Sequence, residues 1–225
     1  MWSRTRILTG KDIRIIVTNG QGLAQSALMG LLLIFVFSLA QDSSQPIDPQ
    51  WAAAIFWLAT SFSLVLIFNT LYGLEEDNEA RLGLILSPLP AQGVWLAKAL
   101  AGWLLLLLVQ GLFLPASVIF LGIEQIGSWS QALALLLIVD WGLVVLGSLL
   151  GALGQGQSGR DSLLTVIVFP LLIPLLLTGI RVGGGLLTGE PVAALSSWFG
   201  LAGAFDALFT GAALLLFPFV YSKAE

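Results

Sequence analysis

The chain contains no cysteine and no histidine. Without cysteine there is neither a disulfide framework nor a thiolate metal site. The missing imidazole removes the commonest general base, the commonest metal ligand and the usual axial ligand of haem. Charge is scarce as well: Asp, Glu, Lys and Arg make up 10% of 225 residues, against 57% hydrophobic ones. A water-soluble domain of this size needs more polar surface than that to face solvent. A polytopic, all-α membrane protein is the class these figures leave. The net charge of −4 says little about partners when most of the chain lies in lipid, and no basic patch suggests nucleic acid.

The few charges present are grouped. Residues 1–21 carry Arg4, Arg6, Lys11 and Arg14 among Ile7, Leu8, Ile13, Ile15 and Ile16. That mixture predicts an interfacial amphipathic helix lying on an anionic leaflet. Six apolar segments follow, at about 22–41, 51–73, 93–122, 131–153, 163–180 and 201–221. Each meets the roughly 17–25 residues that a spanning helix requires. Ser38-Leu39-Ala40 fits the small-x-Ala pattern of a signal-peptide cleavage site. The length of the basic region and the five comparable segments that follow favour a retained first span.

Orientation follows from lysine and arginine. An inside N-terminus puts Arg4, Arg6, Lys11, Arg14, Arg81, Lys98, Arg160 and Lys223 on the cytoplasmic side and Arg181 alone outside. Eight cations against one satisfy the positive-inside rule, so both termini are expected in the cytoplasm. Trp51, Trp129 and Trp198 fall at outer segment ends and Trp95 at an inner one, as an aromatic belt would place them.

Between the second and third spans lies the stretch that looks mechanical. Glu75, Glu76, Asp77 and Glu79 precede apolar residues at Leu82, Ile85, Leu86 and Leu89, and Pro88 and Pro90 close it. The i, i+3, i+4, i+7 spacing predicts a short amphipathic helix within 74–90. Its acidic start suits the positive end of the helix dipole, and its prolines stop it. On the cytoplasmic surface, such a piece is a lever for something outside the membrane to push.

Other motifs have milder readings. Gly154 to Gly159 spells G-x-G-x-x-G, but no strand precedes it and the lysine of a phosphate-binding loop is absent. It reads as an inner turn. Pro170 and Pro174 share one face of the fifth segment, which predicts a kink and a candidate hinge. The apolar connection 181–198 suggests short re-entrant or capping helices on the outer side. Gly147 with Gly151, Gly179 with Gly183, and Ala97 with Ala101 recur four apart and predict close helix packing. Asp140 and Asp206 are the carboxylates placed deep within predicted spans. Each costs about 2.5–3.5 kcal/mol to insert and so implies a partner or a wet cavity. An intramembrane aspartyl protease would set its aspartate in Gly-x-Gly-Asp, whereas these lie in Ile138-Val139-Asp140-Trp141 and Ala204-Phe205-Asp206-Ala207. A proton-coupled carrier using the pair is an alternative.

From Phe68 to Trp103 the chain resembles the CcmB family, the permease subunit of the haem exporter in c-type cytochrome maturation. The resemblance is carried by the acidic run at Glu75–Asp77 and by Leu84-Ile85-Leu86-Ser87-Pro88-Leu89-Pro90. It continues through Leu96-Ala97-Lys98-Ala99-Leu100-Ala101 with Trp103. Phe169-Pro170-Leu171-Leu172-Ile173-Pro174-Leu175 is similar to a second run of that family, and the length, six spans and basic N-terminal helix agree. The chain departs from the family pattern at Asp77–Leu82 and at Arg160-Asp161-Ser162.

The resemblance implies an ABC-2 type permease in the bacterial inner membrane, with residues 74–90 as its cytoplasmic coupling helix. It implies that two copies pair with two copies of a separate CcmA-like ATPase, beside CcmC-like and CcmD-like membrane subunits and a CcmE-like haem chaperone. Glu75, Glu76, Asp77, Glu79, Leu82, Leu86 and Pro88 are then the expected ATPase contacts. On this reading the chain is not an enzyme and binds no cofactor itself. Haem is the candidate substrate and ATP sits on the partner. An ABC-2 permease for a drug or lipid would show the same coupling helix.

Overall fold

The computed structural model describes residues 2–41, 47–77, 83–84, 86–123, 127–154 and 161–222. Among the described residues there is helix and no strand. The helices are α1 (Trp2–Asn19), α2 (Gln21–Leu39), α3 (Pro49–Asp77), α4 (Ala91–Leu121), α5 (Trp129–Gly154), α6 (Asp161–Leu187) and α7 (Val192–Ser222). The six from α2 onward are each long and apolar enough to cross a membrane. The protein is thus a multi-pass membrane protein. Helix is the form that lets a chain in lipid satisfy its own backbone hydrogen bonds.

Local chemistry sets several boundaries. Asp48 caps α3, its Oδ1 accepting from the backbone N–H of Gln50 at 2.8 Å and of Trp51 at 3.3 Å. Pro49 takes the first helical position, where its missing N–H costs nothing. Gly20, at φ +67°, turns the chain from α1 into α2 while its N–H closes on Ile16 O at 2.8 Å. A side chain there would be strained.

α3 is the hub, packed against α2, α4, α5 and α6. Its large side chains fit into places where neighbouring helices carry glycine. A Cβ on Gly151 would run into the Tyr72 ring, and one on Gly147 would lie 2.7 Å from Phe68 Cδ2. On α6, a Cβ at Gly179 would come within 2.5 Å of Trp57 Cε2, and one at Gly183 within 3.1 Å of Ala53 Cβ. The four-residue glycine spacings therefore serve contacts inside one chain. Tyr72 cannot easily retreat, because its hydroxyl is hydrogen-bonded to Ser148 Oγ at 3.0 Å. Gly151→Leu is accordingly expected to lower stability by about 1–3 kcal/mol through overpacking, readable as an earlier thermal transition of the detergent-purified chain.

The connection 181–198 differs from expectation. α6 continues to Leu187, the chain turns at 188–191, and α7 begins at Val192. No separate capping or re-entrant helix intervenes. The apolar residues that suggested one are the ends of two spans, with Leu186 and Leu195 both buried. Arg181 fastens the turn: Nη1 and Nη2 donate to Glu190 Oε1 and Oε2, each at 2.9 Å. These hydrogen bonds hold the Glu190 carboxyl below its ordinary pKa. Its contribution is present at neutral pH and fades as pH falls through that lowered value, and solvent screening keeps it small.

Two other details bear on the reading. Trp51 and Trp129 are exposed at helix starts, but Trp95 is 1% exposed and belongs to the core. α1 lies across the start of α4 and covers it: Thr9 Oγ1 donates to Ala97 O at 3.2 Å. α6 remains helical through Pro170 and Pro174, and Thr178 Oγ1 donates back to Pro174 O at 3.0 Å.

Candidate coupling site

Lys98 lies two turns into α4 and is fully buried. A buried ammonium is tolerated only where oxygens replace its water. Here Asp12 Oδ2 of α1 is 3.0 Å from Nζ, and Glu75 Oε1 of α3 forms a second ion pair. Nζ also donates to Leu71 O at 3.0 Å and stands 5.5 Å from the centre of the Tyr72 ring. Lys11 Nζ approaches Asp12 Oδ1 at 3.1 Å. Two acids and two bases leave the cluster neutral. Asp12 faces inward because it is four residues from both Leu8 and Ile16, which share the buried stripe of α1.

This cluster sits at the root of the lever. Glu75 stands in the last turns of α3, where the 74–90 stretch begins, and Lys98 lies eight residues beyond its end in α4, so their ion pair joins the two helices that flank it. α1 is tied in as well, through Asp12 and again through Arg4, whose Nη1 donates to Pro88 O at 3.0 Å. Ser87 folds the tip into a turn, its Oγ donating to Leu84 O at 2.7 Å. Leu89 packs back against Gly93. Leu86 does the opposite: it is 84% exposed, beside an exposed Pro88.

The expected contact residues therefore separate. Leu86 and Pro88 stand on the surface. Glu75 does not; it is 2% exposed and turned inward. Its proximity to a buried ammonium is the reason, since a carboxylate at that depth gains more from Lys98 than from a partner outside. Glu79 and Leu82 lie outside the described residues, as do the side chains of Glu76 and Asp77.

The intramembrane aspartates are not brought together. Asp140 on α5 is fully buried, and its Oδ1 accepts from Gln110 Nε2 of α4 at 2.8 Å. The same Nε2 lies 3.4 Å from Thr60 Oγ1 of α3. Asp206, on α7, is partly buried and directs its carboxylate at Gly142, where a Cβ would collide with Oδ1. Gly142 is two residues from Asp140, about 200° around a helix of 3.6 residues per turn. The two carboxylates thus meet opposite faces of α5, and a dyad sharing one proton is not formed. Among the described residues no cluster of three His, Cys, Asp or Glu could hold a metal ion.

A family model described as CcmB protein matches residues 4–224. The chain belongs to the CcmB family. Relatives in that family include heme exporter protein B of Pseudomonas aeruginosa, 28% identical over 217 residues, covering 95% of this chain and 92% of the relative. The protein of the same name from Rhodobacter capsulatus is 26% identical over 223 residues, 97% of each chain. That of Paracoccus denitrificans is 26% identical over 215 residues, 95% of this chain and 94% of the relative. The CcmB match takes in α1, the lever and the ion cluster at its root.

Proposed function

We propose that this chain is the membrane permease subunit of an ABC-type haem exporter in c-type cytochrome biogenesis, driven by ATP hydrolysis on a separate chain. The observation that carries the mechanical part is Leu86, a large apolar side chain left 84% exposed on a segment whose flanking helices are joined by a buried ion pair. Exposed apolar groups on a braced element suit a partner's groove. A CcmA-like ATPase, two copies on two permeases, is the partner we assign. CcmC-like and CcmD-like subunits and a CcmE-like chaperone complete the assembly. The lysine and arginine distribution supports an inner-membrane orientation with both termini and the lever in the cytoplasm.

In this mechanism the ATPase grips the outer face of the lever at Glu76, Asp77, Glu79, Leu82, Leu86 and Pro88. Glu75 belongs to the anchor behind them. A push on the lever reaches α3 and α4 together, because Glu75 and Lys98 are paired across its root. It reaches α1 through Asp12 and Arg4. α6, packed on α3, gives at Pro170 and Pro174. The outcome is haem export or release of haem-loaded chaperone. With no histidine in this chain, any imidazole ligation of the haem substrate comes from partner subunits. Leu82→Asp with Leu86→Asp tests the reading in the assembled complex. Haem loading of the chaperone should fall by roughly 5–150-fold, the span of a 1–3 kcal/mol coupling free energy, while the permease itself stays folded. Unimpaired loading with intact assembly would refute the coupling role.

A further inference from the structure

We propose that one flank of α7 is an interface for a transmembrane helix of another membrane subunit, and that this helix brings a lysine or arginine to Asp206. Asp206 stands close to the middle of α7, at the depth where an uncompensated carboxylate is most costly. Its Oδ1 is buried against Gly142 and Oδ2 is not buried, and neither oxygen has a donor among the described residues. One side of the residue is closed by Ala202, four residues before it, and by Phe209, three after, both buried. The other side runs to Gly203, which is exposed, and to Thr210, which is partly exposed. The carboxyl therefore opens toward the outer surface of the bundle at that flank.

α7 is the least buried of the six spans, and its exposed arc has two textures. Leu201, Leu208 and Leu215 recur seven residues apart and are all exposed, a ridge of large side chains suited to acyl chains. Gly203, Ala207 and Gly211 recur four apart and lie about 60–140° around the helix from Asp206, on its open side. A Cβ at Gly203 or Gly211 would meet nothing within 4 Å, whereas the paired glycines of α5 and α6 seat Phe68, Tyr72 and Trp57. Glycine weakens a helix and offers acyl chains little to pack against. Its use on a membrane helix is to let a neighbouring backbone come close.

Charge decides between a companion and a second copy of this chain. α7 carries one carboxylate and no lysine or arginine, so a two-fold pairing through this flank would set Asp206 near its own image and supply no cation. An ionised side chain inside a membrane is matched by a partner of opposite sign. The ammonium or guanidinium must come from a helix close enough to cover Oδ2, and the small residues beside it permit that approach. Companion membrane subunits belong to the assembly proposed above, on which this interface rests; the flank of α7 is where one of them docks.

The test is site-specific photo-crosslinking in the assembled complex, with p-benzoylphenylalanine placed either at Leu214, exposed beside the small-residue flank, or at Leu208 on the leucine ridge. The probe at Leu214 should label an apolar segment of a companion subunit that contains a lysine or arginine, and the probe at Leu208 should label lipid. Gly203→Leu extends into open space. It should leave thermal unfolding of the chain alone unchanged and remove the crosslink. Asp206→Asn keeps the shape and loses the charge, and should lower retention of the companion in detergent by about 5–30-fold, the factor equivalent to 1–2 kcal/mol. Labelling of a second copy or of lipid alone from Leu214, or full retention of the companion by both variants, would overturn the interface. A labelled segment without lysine or arginine would overturn the pairing with Asp206. A purified complex without companion membrane subunits would overturn the proposed assembly as well.

Discussion

Lys98→Met is expected to cost about 3–5 kcal/mol, enough to leave little folded permease in the membrane. The substitution removes the cation that stands between Asp12 and Glu75, leaving Glu75 buried without compensation and Asp12 with the exposed Lys11 alone, the costliest way to break such a group. Lys11 cannot take its place, because it is 42% exposed and is paired from the rim to the other oxygen of Asp12. Thermal unfolding in detergent and the yield of monodisperse protein both read the effect. The companion variant is more informative. Lys98→Met combined with Asp12→Leu and Glu75→Met removes every buried charge together and leaves only the exposed Lys11, and buried ion groups replaced by apolar side chains are often neutral or stabilising. That triple variant should recover most of the stability and still fail to couple ATP hydrolysis to haem loading. If it coupled normally, the cluster would hold the fold and have no part in transmission.

The same cluster marks where the sequence could be read and where it could not. Span count and span length are legible because insertion in lipid requires long apolar runs. The start of α3 was also open to reading, since Asp48-Pro49 is a helix-start signature in plain view. Lys98 is visible in the sequence, but its partners are not. It lies two turns inside the apolar run of α4, where a charge needs a buried partner. The partners come from 86 residues upstream and 23 residues upstream, by the numbering of Asp12 and Glu75, and no local periodicity reports such separations. Asp12 did leave a trace, as a lone acid on the same helical stripe as Leu8 and Ile16 within an otherwise basic helix. The 181–198 connection misled for another reason. Ser196, Ser197 and Gly200 dilute the hydropathy at the start of α7, yet Leu195, Ala202 and Phe209 repeat at seven-residue intervals and are all buried. Packing on one face decided that segment, and averaged hydropathy does not see faces.

Gln110→Leu is expected to destabilise the bundle by about 1–3 kcal/mol, the cost of leaving a buried polar group without its partner. Gln110 Nε2 is the donor to Asp140, whose carboxyl is fully enclosed between α4 and α5. Adding Asp140→Leu to Gln110→Leu should recover part of the loss, since removing both members strands nothing. The recovery will be modest, because hydrogen bonds within membranes average near 0.6 kcal/mol in double-mutant cycles. Asp140→Asn is the decisive single change. An amide keeps an oxygen for Gln110 Nε2, so the fold should stand, and a permease driven from its lever should keep ATP-linked haem loading near the wild-type level. A proton-coupled carrier would lose its transport with that same substitution, because an asparagine holds no exchangeable acid proton. Measuring ATP-linked activity of Asp140→Asn and Asp206→Asn in the assembled complex therefore asks whether force enters this subunit through the lever or through its buried carboxyls.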